Sequence, residues 1–337
     1  MYRPSDDVPI GSTEVRVTRL GLGAASIGGL YDVVEHAVAM DTVAAAMELG
    51  VGYVDVAPQY GLGRAERRLG EGLRDVPRER YVLSTKVGRL IRRSAEVPPG
   101  VPADEPPTQF PGVDPDLRTM WDMSRDGVRR SLDESRARLG IERIDIAYIH
   151  DPDDHMAMAL DHAAPALAEL REQGVLGAIG VGANTVSVLQ RFVEQADIDV
   201  ILLANRYTLL DQPALATLLP ACAERGVAVV IGGVMNTGLL ADPRAGATFD
   251  YVAAPPSLVA KAQRLAAVCA GHGVPLKAAA VRFVLAHPAV VSVLAGVRSR
   301  GRLVEYEALM TTATPAALWD ELRDEGLLPP EAPTPTD

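Results

Sequence analysis

Tyr53-Val54-Asp55-Val56-Ala57-Pro58-Gln59-Tyr60-Gly61 is a short apolar run that closes on an acid and then turns through Pro and Gly, carrying a tyrosine with it. A β-rich run that meets proline and glycine reads as a strand opening into a loop, which puts Asp55 and Tyr60 at the strand's exit. Alone, the pair is commonplace: a strand-end acid caps the next turn, and a loop tyrosine packs on its neighbour. Two later runs end the same way. Tyr81-Val82-Leu83-Ser84-Thr85-Lys86 delivers a lysine, and Ile144-Asp145-Ile146-Ala147-Tyr148-Ile149-His150 a histidine, at the equivalent point. Four ionisable side chains thus converge on one rim.

Strand-like runs recur near residues 20–25, 52–57, 81–86, 143–149, 175–181, 199–204, 226–231 and 290–295. Between them lie helical patterns over Asp41–Gly50, Arg64–Leu73, Ser124–Gly140, Asp161–Gly174, Thr185–Ala196, Pro213–Gly226 and Ser257–Gly273. Strands alternating with helices pair in parallel through right-handed crossovers, and eight such units predict an α/β fold, a (β/α)8 TIM barrel with long active-site loops. One domain over 1–337 is expected, with its core at 14–312. Residues 14–18 alternate polar and apolar, as one arm of a hairpin under the barrel would. The competing architecture is an open doubly wound sheet with Gly21-Leu22-Gly23 as half of a dinucleotide fingerprint; the third glycine of that fingerprint would fall at Ser26. Two connections exceed simple turns: the proline-rich 87–120 and the glycine-rich 232–256, both read as lids or binding walls. The proline-rich tail 329–337 is expected to fray.

Composition narrows the function. The hydrophobic share is 48% with only 4% aromatic, which suits a barrel packed with Val, Leu, Ile and Ala. With 33 basic against 44 acidic residues the net charge is −11, which repels phosphate backbones and anionic lipid and excludes nucleic acid as an expected partner. Cys222 and Cys269 are too few for a disulfide framework and read as reduced, packed thiols, so the expected compartment is the cytoplasm. The stretch from Met1 to Ser12 lacks the apolar core of a secretory signal, and no run reaches the ~18 apolar residues that span a bilayer, so no membrane is expected. Near Asp151-Pro152-Asp153-Asp154, His155 and His162 are explained by capping and solvation. The His-x4-His spacing of His150 and His155 across a proline fixes no tetrahedron, so no metal is expected.

Asp55 and Tyr60 after one strand, then Lys86 and His150 each after its own, resemble the catalytic set of the aldo-keto reductases, a likeness that runs from about Val17 to Met310. Carbonyl reduction needs a hydride at carbon and a proton at oxygen, and no side chain supplies hydride, so a nicotinamide cofactor is implied. A free tyrosine titrates near ~10; a neighbouring Lys86 ammonium favours its phenolate, Asp55 orients the lysine, and His150 can hold the substrate oxygen. The resemblance also implies cofactor contacts from Asn184, Asn205, Gly232, Thr237, Gly238, Leu240, Arg298, Arg302 and Glu305. Ala183 and Asn205 stand where the family often has serine and glutamine, no aromatic lies between Val229 and Val234 to stack on the nicotinamide, and Tyr306 stands where asparagine is common. A basic cluster at a helix N-terminus suits an adenosine 2′-phosphate, which places NADP(H) ahead of NAD(H).

Trp121-Asp122-Met123-Ser124-Arg125-Asp126-Gly127, His150-Asp151-Pro152-Asp153 and Arg206-Tyr207-Thr208-Leu209-Leu210 are similar to the branch that holds L-fucose, D-threo-aldose (galactose) and pyridoxal dehydrogenases. Trp121 and Tyr31 are candidate substrate walls, and Arg89, Asp122, His150, Asn236 and Arg206 offer a lining for hydroxyls. The expected partner is a small carbonyl or sugar substrate, with oxidation of a sugar or pyridoxal placed ahead of general aldehyde reduction. The reading from another class is a cofactor-binding sensor, which would need a partner surface that no stretch announces.

Overall fold

Eight strands pair in chain order into a ring: β1 (Leu20–Gly23), β2 (Tyr53–Asp55), β3 (Val82–Val87), β4 (Ile146–His150), β5 (Ala178–Ala183), β6 (Val200–Ala204), β7 (Ala228–Gly232) and β8 (Val290–Ala295). These positions come from a computed structural model that describes residues 2–250 and 252–336. Every pairing is parallel, and β8 returns to β1 through Val293–Leu20, Leu294–Gly21 and Ala295–Leu22, leaving no free edge. The closed ring is the TIM barrel expected from the alternation and excludes the open doubly wound sheet.

Burial divides in two. Inside the barrel, Ile10, Val17, Tyr53, Ile146, Tyr148, Val200, Val230 and Leu294 form one apolar plug, while the larger cluster lies between the strands and the surrounding helices. The hairpin Asp7–Pro9 with Arg16–Thr18 contributes Val17 to that plug and closes the N-terminal end. Cys222 and Cys269 are buried free thiols, pushed up to about 12 and about 11 by burial. Among the described residues no single helix is long and apolar enough to cross a membrane.

Three departures have physical causes. The first helix starts at His36, not Asp41, because Ala37, Val38, Ala39 and Met40 continue its apolar, helix-favouring pattern. The helix expected over Asp161–Gly174 is broken into Met156–Met158, a π turn over Ala159–Ala163 and Ala164–Glu172; Pro165 lacks the N–H an unbroken helix would use. The tail is held as far as Thr334: Arg323 donates to the Ala332 carbonyl (3.1 Å) and to the Thr334 hydroxyl (2.9 Å), and Ala332 is buried.

The connection 87–120 folds as a sheet of its own. Arg89–Arg93 and Ala103–Asp104 both pair antiparallel with the central Leu117–Trp121. It is tied down by Arg92 to Glu134 (2.7 Å) and by Arg64 donating to the Pro111 carbonyl (3.1 Å).

Beside this anchorage, helices Arg64–Leu73 and Arg125–Leu139 touch backbone to backbone: a Cβ added at Gly70 would lie 1.8 Å from the Leu139 carbonyl oxygen. Buried Glu66 accepts from Arg138 across the same contact, and from Thr85 of β3 (3.2 Å). Gly70→Ala must therefore push the helices apart, and should lower stability by about 1–3 kcal/mol in denaturant unfolding, the range for overpacked cores.

Candidate active site

The four rim residues meet at the C-terminal mouth of the barrel, the end where this fold concentrates chemistry. Asp55 ends β2, Lys86 is the penultimate residue of β3, and His150 ends β4. The backbone ladder runs past each strand end and fixes these positions: Ala24 donates to the Asp55 carbonyl (2.8 Å), Val56 to that of Ser84 (3.0 Å) and Asp151 to that of Gly182 (2.9 Å). Tyr60 stands on the turn after β2, its amide donating to the Ala57 carbonyl (3.1 Å).

Lys86 and Asp55 are each 2% exposed. The ammonium donates to Asp55 Oδ2 (2.7 Å), to Asp55 Oδ1 (3.0 Å) and to the Val56 carbonyl (3.0 Å), which satisfies a charge that burial would otherwise penalise. Lys86 Nζ also lies 4.7 Å from the centre of the Tyr60 ring. His150 meets the Tyr60 ring edge-on at 5.9 Å. Burial, reinforced by the Arg89 and Lys86 cations, holds the His150 imidazole well below its usual range, so it is neutral.

A second charged layer sits above. Arg89 donates to Asp151 Oδ2 (3.0 Å), and the same oxygen lies 3.4 Å from His150 Nε2. Asp151 takes a positive φ of 41°, and burial pushes its carboxyl up against the pull of Arg89. The Arg89 guanidinium stacks on Trp121 at 4.3 Å, Trp121 donates to Asp104 (2.8 Å), and His155 packs on the same indole at 4.5 Å. Trp121 thus supports Arg89. Phe110, from the proline-rich connection, stacks on Tyr60 at 6.2 Å, and the Gln109 carbonyl accepts from the Tyr31 amide (2.6 Å). Tyr31 remains 40% exposed at the mouth.

Across the mouth the other predicted residues fall into two groups. Asn184 follows β5, and with Arg206 it lines a cavity of about 800 Å³; the next helix begins at Val186, with Thr185 in the N-cap position. A second cavity of about 560 Å³, between helices Arg64–Leu73 and Arg125–Leu139, lies at the opposite end of the barrel from the four rim residues. Asn205 follows β6 and Asn236 follows β7; both are buried, and both leave the side-chain Oδ1 without a partner. Between them a Cβ added at Gly233 would lie 2.2 Å from Asn205 Oδ1. Gly233, Asn236, Thr237 and Gly238 all have positive φ, an irregular turn that follows the buried Gly232. Two unmet buried acceptors beside a left-handed turn fit a ligand that brings amide donors and an anionic linker. Leu240 belongs to the core, and Arg206 is engaged by Asp250 (2.9 and 2.5 Å).

A model of the aldo/keto reductase family matches residues 19–323. The chain belongs to this family. It is 42% identical to a D-threo-aldose 1-dehydrogenase from a Pseudomonas species, over 93% of this chain and 95% of that one. It is 41% identical to a pyridoxal 4-dehydrogenase from Microbacterium luteolum, over 97% and 99%. A holo aldo-keto reductase from Bacillus halodurans, 22% identical, superposes with a TM-score of 0.75 over 96% of each chain, and a glycerol dehydrogenase from Gluconobacter oxydans, also 22% identical, with 0.73 over 99% and 98%. Those two share the fold.

As an aldo/keto reductase the chain is an oxidoreductase that works with a nicotinamide cofactor. Its basic segment after β8 is already matched by acids. Arg298 pairs with Asp32, Arg300 with Asp41 (2.8 Å) and Glu48 (2.5 Å), and Arg302 with Glu305 (3.1 Å), which Lys277 also engages. Among the described residues no group of three or more His, Cys, Asp or Glu is arranged to hold a metal ion. Phe110 and Asp151 escape a reading based on strand ends. Phe110 is the only aromatic between Tyr81 and Trp121 and Asp151 directly follows His150, so a lone aromatic in a proline-rich loop was the available signal.

Replacing Tyr60 with Phe keeps the ring that meets Phe110, Lys86 and His150 and removes only the hydroxyl. Turnover should fall about 10²–10⁴-fold while cofactor affinity, read by fluorescence titration, stays near that of the unaltered protein.

Proposed function

We propose that this aldo/keto reductase oxidises the hemiacetal carbon of a sugar such as L-fucose or a D-galactose-type aldose, or of pyridoxal, to a lactone. One observation carries this reading: the mouth over Tyr60 is faced by Arg89, Asp151 and His150, paired donors and acceptors suited to hydroxyl groups. The names of the two relatives above 40% identity support the same class. General reduction of aldehydes is the second reading, supported by a methylglyoxal reductase of Escherichia coli, 28% identical over 73% of this chain.

When bound, the nicotinamide cofactor supplies the hydride acceptor; Asn184, Asn205, Gly232, Gly238 and Thr237 are the residues that would hold it. Tyr60 acts as the base. The Lys86 cation beside its ring favours the phenolate, Asp55 holds that cation in place, and Tyr60 takes the proton of the anomeric hydroxyl. His150, neutral and buried, orients that hydroxyl without adding charge. Arg89, fixed by Asp151 and Trp121, reaches a second hydroxyl, and Phe110 covers Tyr60 against water.

The carboxylates on Arg298, Arg300 and Arg302 change the reading of the nucleotide. A 2′-phosphate would compete with Asp32 and Glu305 for the same guanidinium groups, so we read the site as favouring NAD over NADP, against the preference drawn from the basic cluster alone. These pairs are exposed, so the bias is modest. Asp32→Asn with Glu305→Gln should move the kcat/KM ratio several-fold toward NADP; a ratio unmoved by both removes the role of these acids.

The substrate is tested by reduction of NAD⁺ and NADP⁺ at alkaline pH with fucose, galactose, arabinose and pyridoxal, beside oxidation of the reduced cofactors with simple aldehydes. Sugar or pyridoxal oxidation should rise with pH until Tyr60 is fully ionised. Activity confined to the aldehydes would replace the first reading with the second.

A further inference from the structure

Beneath Asp55 the barrel interior holds three hydroxyls in a row. Ser84 Oγ donates to Asp55 Oδ1 (2.7 Å), Tyr53 OH lies 3.1 Å from Ser84 Oγ, and Tyr148 OH lies 3.1 Å from Tyr53 OH. All three residues are fully buried. Three protons must fill three contacts, and the carboxylate at one end only accepts. One assignment does so: Tyr148 donates to Tyr53, Tyr53 to Ser84, and Ser84 to Asp55.

We propose that Ser84, Tyr53 and Tyr148 are positioning residues, a one-way donor chain that ends on Asp55 and sets how strongly Lys86 favours the ionised form of Tyr60. Donors aligned head to tail polarise one another, so each draws negative charge on Asp55 away from Lys86. Without them the carboxylate concentrates on the ammonium, the positive field at Tyr60 falls, and the phenol ionises at higher pH. Burial pushes the Tyr53 and Tyr148 hydroxyls upward, which keeps them protonated donors while Tyr60 titrates. The other charged or titratable groups facing this cluster are His150 from β4, Asp151 after it, and Arg89 from the inserted sheet; none lies within the chain of hydroxyls.

The inference rests on Tyr60 as the acid–base group, and its test separates the two. Ultraviolet difference titration of each protein against the same protein carrying Tyr60→Phe reports the ionisation of Tyr60 without substrate. Ser84→Ala should raise that midpoint by about half a pH unit or more, about a threefold change in ionisation constant, and Tyr53→Phe with Tyr148→Phe by less. The double variant removes both phenols and orphans neither, so it carries the test if Ser84→Ala does not fold. Affinity for NAD⁺ should be unchanged in both. Midpoints equal to that of the unaltered protein, at unchanged NAD⁺ affinity, overturn the donor chain. A shifted midpoint with an unshifted pH profile of kcat leaves the chain standing and removes Tyr60 as the base.

Discussion

The ion pair of Lys86 with Asp55 is the constraint around which the site is arranged. Two opposite charges lie inside a barrel from which water is excluded, and such a pair is tolerated only if geometry and hydrogen bonds replace the lost solvation. The neighbouring strands supply that replacement. β2 brings the carboxylate and the Val56 carbonyl, β3 brings the ammonium and Ser84, and the register Asp55↔Ser84 fixes their relative height. Losing one partner would leave the other charge uncompensated, at a cost of about 3–5 kcal/mol. The same pair therefore supports the architecture and the chemistry at once.

Electrostatics above the pair follows from how few free charges remain. Arg89 is offset by Asp151, His150 is kept neutral by burial, and the arginines after β8 are matched by Asp32, Asp41, Glu48 and Glu305. Most cations around the site thus have their own anion.

Much of this was legible because the informative signals were local. Each barrel strand is a short run of Val, Ile, Leu or Ala closed by a turn, and Asp55, Lys86 and His150 end their runs at corresponding heights, so pattern and position agree. The sheet at Arg89–Arg93, Ala103–Asp104 and Leu117–Trp121 was not legible, since its strands are two to five residues long and its pairing partner lies beyond a run of prolines. The contacts of Trp121 were hidden for a related reason: only in three dimensions do Arg89 and His155 meet its ring. The arginine cluster likewise reads as basic along the chain, because three of its acids, Asp32, Asp41 and Glu48, come from segments more than 200 residues away.

All four rim residues are encoded before residue 151, yet the ring they sit on is closed by β8 pairing with β1. During synthesis the chain emerges from its N-terminus, so β1 to β7 leave the ribosome before the strand that closes the ring. Until that strand emerges, Val17 and Leu20 have no β8 to cover them. Closure couples contacts at opposite ends of the sequence, a non-local step that is intrinsically slow. A chain truncated before Val290 would thus carry every rim residue on a ring that lacks its closing strand.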